Sequence, residues 1–92
     1  MKKIKCEEMS EFFKALSHPI RLKIVCGLIK KKECNVTKMV QHLNLPQPNV
    51  SQHLNILKNA GVIEGYRNGN EICYKVCNEI VEKLIESMEI EE

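Results

Sequence analysis

Tryptophan is absent from this 92-residue chain, and aromatic side chains are limited to two phenylalanines and two tyrosines besides the histidines. Any core must therefore be aliphatic, and 43% hydrophobic residues suit a globular chain rather than a disordered one. No apolar run approaches the roughly 20 residues needed to span a bilayer. Lys2, Lys3 and Lys5 are not followed by an apolar stretch of signal-peptide length. The expectation is a cytoplasmic protein with no membrane partner, whose cysteines are reduced at rest. There are five cysteines, an odd number, which excludes a complete intrachain disulfide framework. A CxxC pair, a glycine-rich phosphate loop, a paired-acid constellation and a nucleophile with an evident base are all missing, so no catalytic residue and no required cofactor is expected. A domain this small buries a modest share of its surface and often gains stability by dimerising.

The net charge of +2 hides a gradient. Residues 1–32 hold nine Lys/Arg against three Glu, residues 33–77 hold four against three, and residues 78–92 hold one Lys against six Glu. A basic front suits a polyanion, and an acidic tail would lie away from it.

Apolar spacing predicts mostly helix. Met9, Phe12, Phe13 and Leu16 follow an i, i+3, i+4, i+7 pattern for a helix over about 5–16. Ser17-His18-Pro19 interrupts it, and Pro19 suits the first position of a second helix running to about Lys30. Ile20, Ile24, Val25, Leu28 and Ile29 form its buried arc, with Cys26 at the rim and Arg21 inside, where it should be paired. Asn35 is a good cap for a third helix carrying Val36, Met39, Val40 and Leu43. A turn at residues 44–48 leads into a fourth helix, with Val50, Leu54 and Leu57 facing inward and Gly61 as its natural stop. Two strand-like runs come next, joined at Asn68-Gly69, a preferred two-residue hairpin turn. Asn78 caps a last helix to about residue 90, whose apolar stripe of Ile80, Val81, Leu84, Ile85 and Met88 is wide enough to call for a partner surface.

The fourth helix carries the strongest functional signal. Gln47, Asn49, Ser51, Gln52, His53 and Asn55 crowd onto it, and no Asp, Glu, Lys or Arg lies between Leu45 and Ile56. An ordinary solvent face favours Glu and Lys for propensity and pairing. A charge-free face of amides and hydroxyls instead suits a major groove, where Asn and Gln pair with base edges and Ser holds phosphate. Helix, turn and helix over about 35–60 thus read as a helix–turn–helix, with Gln47, Pro48, Asn49, Ser51, Gln52 and His53 as its double-stranded DNA contacts. Arg67 and Asn68 at the hairpin tip are second contacts, for the minor groove or for phosphates.

The segment Ala15-Leu16-Ser17-His18-Pro19-Ile20-Arg21-Leu22-Lys23-Ile24 resembles a signature of the ArsR/SmtB family of repressors. Leu45-Pro46-Gln47-Pro48-Asn49-Val50-Ser51-Gln52-His53-Leu54 is similar to the family's recognition helix, and Leu57-Lys58-Asn59-Ala60-Gly61-Val62-Ile63 to its exit into the wing. The resemblance covers about 8–88 and implies a mainly α fold with a small β-hairpin. That fold is a single winged helix–turn–helix domain over 1–92, ordered as four helices, two strands and a last helix. Its wing is expected over about 62–76, and helices over about 5–16 and 78–90 would join a homodimer. It implies a repressor released from its operator by an effector. An effector-free protein-interaction module using the wide last helix is the alternative, and a thiol oxidoreductase using Cys73 and Cys77 a third.

The family's metal sites carry over poorly. Asn35 and Thr37 stand where its third-helix cysteines would be, with Cys34 one place early, and Asn78 and Ile80 cannot supply its last-helix zinc ligands. The branch that answers to sulfide and persulfide is more similar, since Cys26 matches its second-helix cysteine. That branch's partner cysteine is replaced by residues 90–92, leaving Cys73 and Cys77 as chemical substitutes. The expected sensor thiols are thus Cys26, Cys73 and Cys77, acting through a reactive sulfur species, an oxidant or a thiophilic metal ion. Cys6 with Cys34 is the remaining metal candidate, by likeness to sites built from the family's N-terminal arm and third helix.

Overall fold

The computed structural model describes residues 3–31 and 34–90; residues 1–2, with Lys2, and residues 32–33 and 91–92 lie outside the described residues. Helix α1 spans Cys6–Leu16, α2 Pro19–Cys26, α3 Val36–Leu43 and α4 Gln47–Asn59. Strands β1 (Ile63–Asn68) and β2 (Glu71–Val76) form an antiparallel hairpin, and α5 spans Glu79–Glu86. This is the mainly helical, winged arrangement expected.

Local chemistry sets the joints. The His18 Nδ1 accepts the Ile20 N–H at 3.1 Å, capping α2, with Pro19 at its opening. Asn35 caps α3 by accepting the Lys38 N–H at 2.8 Å, and Asn44 ends that helix in the left-handed region at φ 55°. Asn tolerates that conformation better than most side chains, so the turn into α4 is sharp. The Asn78 Oδ1 accepts two N–H groups, from Ile80 and Val81, to start α5.

One core unites the elements. Val50, Leu54 and Leu57 of α4 are essentially inaccessible, as are Val25, Val62, Ile63, Val81 and Ile85. Arg21 is paired, its Nε donating to the Ala15 carbonyl at 2.7 Å.

Four details depart from the expectations. The second helix does not continue uniformly to Lys30: from Gly27 to Lys31 it widens into a π-helical turn. Cys26 is not at a rim but 1% exposed. Ile24, Val25 and Cys26 are consecutive and all buried, because the end of this helix is enclosed on several sides, by α4 and, through the π-turn, by β2 and α5. A helix covered all round has no rim. The hairpin is also shifted by one residue: Asn68 pairs with Glu71, so the two turn residues are Gly69 and Asn70, with positive φ only at Gly69. Glycine first is the requirement of a type II′ turn, which matches strand twist as well as the expected type does. Lastly, α5 stops at Glu86, leaving Met88 outside it. The Ser87 hydroxyl donates to the Leu84 carbonyl at 2.7 Å, and Glu86 and Glu89 sit at the unfavourable, negative end of the helix dipole.

Candidate nucleic-acid interface and thiol cluster

Helix α4 has two distinct faces. Burying Val50, Leu54 and Leu57 turns Gln47, Pro48, Asn49, Gln52 and Asn55 outward, where all five are exposed, while Ser51 is half-buried. Pro46 and Pro48 hold the helix opening, and no side chain caps its first turn. The Asn49 and Val50 N–H groups of that turn both donate to the Pro46 carbonyl, at 3.0 and 3.2 Å. Arg67 and Asn68 are exposed on the hairpin.

His53 points elsewhere. It is half-buried, its ring 4.6 Å from that of His18, and its Nδ1 lies 3.4 Å from the Arg21 guanidinium. Burial, then the charges of His18 and Arg21, hold its pKa below the ordinary 6.5. A neutral His53 keeps α4 free of charge from Leu45 to Ile56 at neutral pH. This side chain docks α4 onto the start of α2, a role invisible in the sequence because His18 lies 35 positions away.

The cysteines fall into distinct environments. Cys6 opens α1 and is exposed. Cys77 lies just after β2 and is exposed, its thiol donating to the Gly61 carbonyl at 3.6 Å, and burial followed by Glu64 pushes its pKa up. Cys26 is enclosed in the core. Cys34 and Cys73, by contrast, meet: their sulfurs are 2.8 Å apart across 39 positions of chain. Cys34 and Asn35, just before α3, lie along the free edge of β2, with Asn35 bridged to Cys73 and the Tyr74 N–H donating to the Cys34 carbonyl at 2.8 Å. Tyr66 is the cross-strand partner of Cys73. Its hydroxyl is pushed above its ordinary pKa by burial first, then by the charge of and hydrogen bonding to both thiols. Hydrogen bonding to Cys34 and burial raise the pKa of Cys73, and Asn68 opposes this. Asn35 reaches Glu71 beside the pair at 3.4 Å.

The pairing of Cys34 with Cys73 differs from the pairing of Cys26 with Cys73 or Cys77, and from Cys6 with Cys34. No sequence signal marks it, since it depends on a one-residue bridge between a loop and a strand edge. Among the described residues, no group of three or more His, Cys, Asp and Glu side chains could hold a metal ion. Among the described residues, the thiols of one chain therefore do not assemble the four ligands of a structural zinc site. No helix among the described residues is long and apolar enough to cross a membrane.

The outer faces of α1 and α5 are incompletely covered. Val81 and Ile85 fill the core, but Ile80 and Leu84 are only half-buried, and Met88 and Phe13 are exposed by 41% and 52%.

Residues 18–64 match the model of a bacterial regulatory protein family, arsR. The chain is 46% identical over 79 residues to the transcriptional repressor PagR of Bacillus anthracis, covering 86% of this chain and 79% of that protein. The crystal structure of PagR superposes with a TM-score of 0.81 at 43% identity, covering 90% of this chain and 94% of that one. HlyU from Vibrio cholerae superposes with a TM-score of 0.81 at 27% identity, over 88% of this chain and 87% of its own. The HTH-type transcriptional repressor SmtB of Mycobacterium tuberculosis is 46% identical over 68 residues, which are 74% of this chain and 50% of that protein.

Proposed function

The chain belongs to the arsR family of bacterial regulatory proteins and is a DNA-binding transcriptional repressor, and from that premise we propose that it holds an operator as a homodimer, reading it through α4. Gln47, Asn49 and Gln52 contact base edges, Ser51 holds phosphate, and Pro48 shapes the approach. Arg67 and Asn68 contact the flanking groove or backbone. His53 supports the helix rather than touching DNA. The observation that carries this reading is the outward face of α4 from Gln47 to Asn55, exposed, amide-rich and without Asp, Glu, Lys or Arg.

The dimer is supported by the incompletely covered Ile80 and Leu84 of α5 and Met88 just past its end, together with Phe13 on α1. A second copy of the chain would cover it and fix two recognition helices at one operator spacing. Such a regulator works where the chromosome is, in the cytoplasm. Release comes from an effector that reacts with thiols. For Cys26 to take that role the core would first have to open, since it is 1% exposed.

The test is selection of operator fragments from genomic DNA by the reduced protein, then affinity measurements against random DNA over a salt series. Retention of selected fragments over random ones, with affinity falling steeply as salt rises, is expected. Equal affinity for every sequence would remove α4 as a reader.

A further inference from the structure

Resting on the repressor reading, we propose that Cys34 and Cys73 are a reversible dithiol–disulfide couple, oxidised by hydroperoxides, whose bond ties the wing to the entrance of the helix–turn–helix and lowers operator affinity. Two sulfurs 2.8 Å apart need to move by less than an ångström to reach bonding distance. The two exposed cysteines lie elsewhere: Cys77 is turned to the Gly61 carbonyl and Cys6 lies at the start of α1. The two partners are also unequal. Cys34 is half-buried and within reach of a small oxidant, while Cys73 is 0% exposed. Cys34 is therefore the thiol attacked first and Cys73 the one that resolves.

The chemistry balances with the hydroperoxide as the sole oxidant. The Cys34 thiolate attacks the terminal oxygen of ROOH, the O–O bond breaks, and ROH leaves with a proton, giving a sulfenic acid on Cys34. The Cys73 sulfur attacks that sulfur, an S–S bond forms, the S–O bond breaks, and hydroxide leaves as water with the Cys73 proton. Two thiols and ROOH become a disulfide, ROH and water. A small thiol reverses it by exchange, two thiols being oxidised to their own disulfide as the pair is reduced. Tyr66, the cross-strand partner of Cys73, lies beside the pair.

The effect on DNA binding comes from what each partner carries. Cys34 immediately precedes Asn35, the cap of α3, and α3 packs on α4. Cys73 sits in the strand that returns from Arg67 and Asn68. In the reduced protein, yielding hydrogen bonds join these parts, so α4 and the wing tip can settle separately on the groove and the backbone. A covalent bond makes them one body, and only the reduced dimer keeps that adjustment. The resulting differential affinity is what drives release.

The test treats the full chain, reduced, with hydrogen peroxide, then reads disulfide peptides, melting temperature and operator affinity. Expected are a peptide linking Cys34 to Cys73, a higher melting temperature because the bond closes a long loop, and affinity lower by on the order of tenfold, all reversed by dithiothreitol. Cys34→Ser, at the half-buried partner, should bind operator and ignore peroxide. A Cys6→Ser, Cys77→Ser double variant should respond like the parent. A link through Cys26 or Cys77, or no link while exposed thiols are oxidised, overturns the assignment. A Cys34–Cys73 bond with unchanged affinity overturns its regulatory half. If the reduced chain selects no DNA at all, the repressor reading falls and that half with it, while the peptide map still decides the chemistry.

Discussion

Helices α4 and α5 are built alike on the inside and differently on the outside. Each buries a short aliphatic spine, Val50, Leu54 and Leu57 in one and Val81 and Ile85 in the other. Outward, α4 shows amides and a proline, while α5 shows Ile80, Leu84 and, just past its end, Met88. The inner faces explain why both are helices in this fold. On the function proposed above, the outer faces meet different partners: a polar, hydrogen-bonding groove for α4 and a second apolar surface for α5.

The sharpest way to break this contrast is to charge the outer face of α5. Leu84→Glu should leave the helical circular dichroism in place, yield a monomer by analytical ultracentrifugation, and weaken operator binding by about 10²–10⁴-fold, the advantage of holding two half-sites at once. A dimer that survives the change would mean that α5 does not face the second copy. The shared inner faces should respond alike. Leu54→Ala and Ile85→Ala should each cost about 2–5 kcal/mol in denaturant unfolding, as cavities in a close-packed core do.

The outer face of α4 should respond to smaller changes and in binding alone. Gln52→Ala should cost about 1–3 kcal/mol on the operator with little change on random DNA or in melting temperature. Equal losses on both DNAs would assign Gln52 to the backbone. Arg67→Ala should act differently, weakening binding to all sequences and reducing the salt slope by about one.

The smallest effect concerns the seat of α4. The pKa of His53 is lowered in the fold, so the unfolded chain takes up the proton first as acid is added. Its contribution is complete above the ordinary value of 6.5 and is lost as pH falls through the lower folded value. Melting temperatures measured between neutral pH and mild acid should fall, and the fall should be shallower in His53→Gln. An identical slope in the variant would place the acid sensitivity elsewhere.

The elements were legible because each obeys a local rule. Val50, Leu54 and Leu57 lie at helical spacing, Asn35 and Asn78 cap the helices that begin beside them, and Asn44 and Gly61 end helices with positive φ. The boundaries that moved did so for reasons outside any one window. Cys26 is buried because neighbours from distant parts of the chain enclose its helix. Turn residues shift to Gly69-Asn70 because pairing along both strands sets the register. The outward amides of α4 could be read as a pattern, whereas His53 could not be separated from them, since only its contact with His18 turns it inward. The meeting of Cys34 with Cys73 was the least legible, resting on a bridge between segments with no periodic relation.

The absence of Asp, Glu, Lys and Arg on α4 between Leu45 and Ile56 has a consequence for how such a protein can change. Charge governs how strongly DNA of any sequence is held, and here that charge comes from other parts of the chain. Exchanging Gln47, Asn49 or Gln52 for other neutral polar residues would therefore redirect the protein to a new sequence without altering its general grip on the chromosome. On the function proposed above, addressing and adhesion are separable in this molecule, and a lineage of such proteins could diverge in target by drift on one helix face alone.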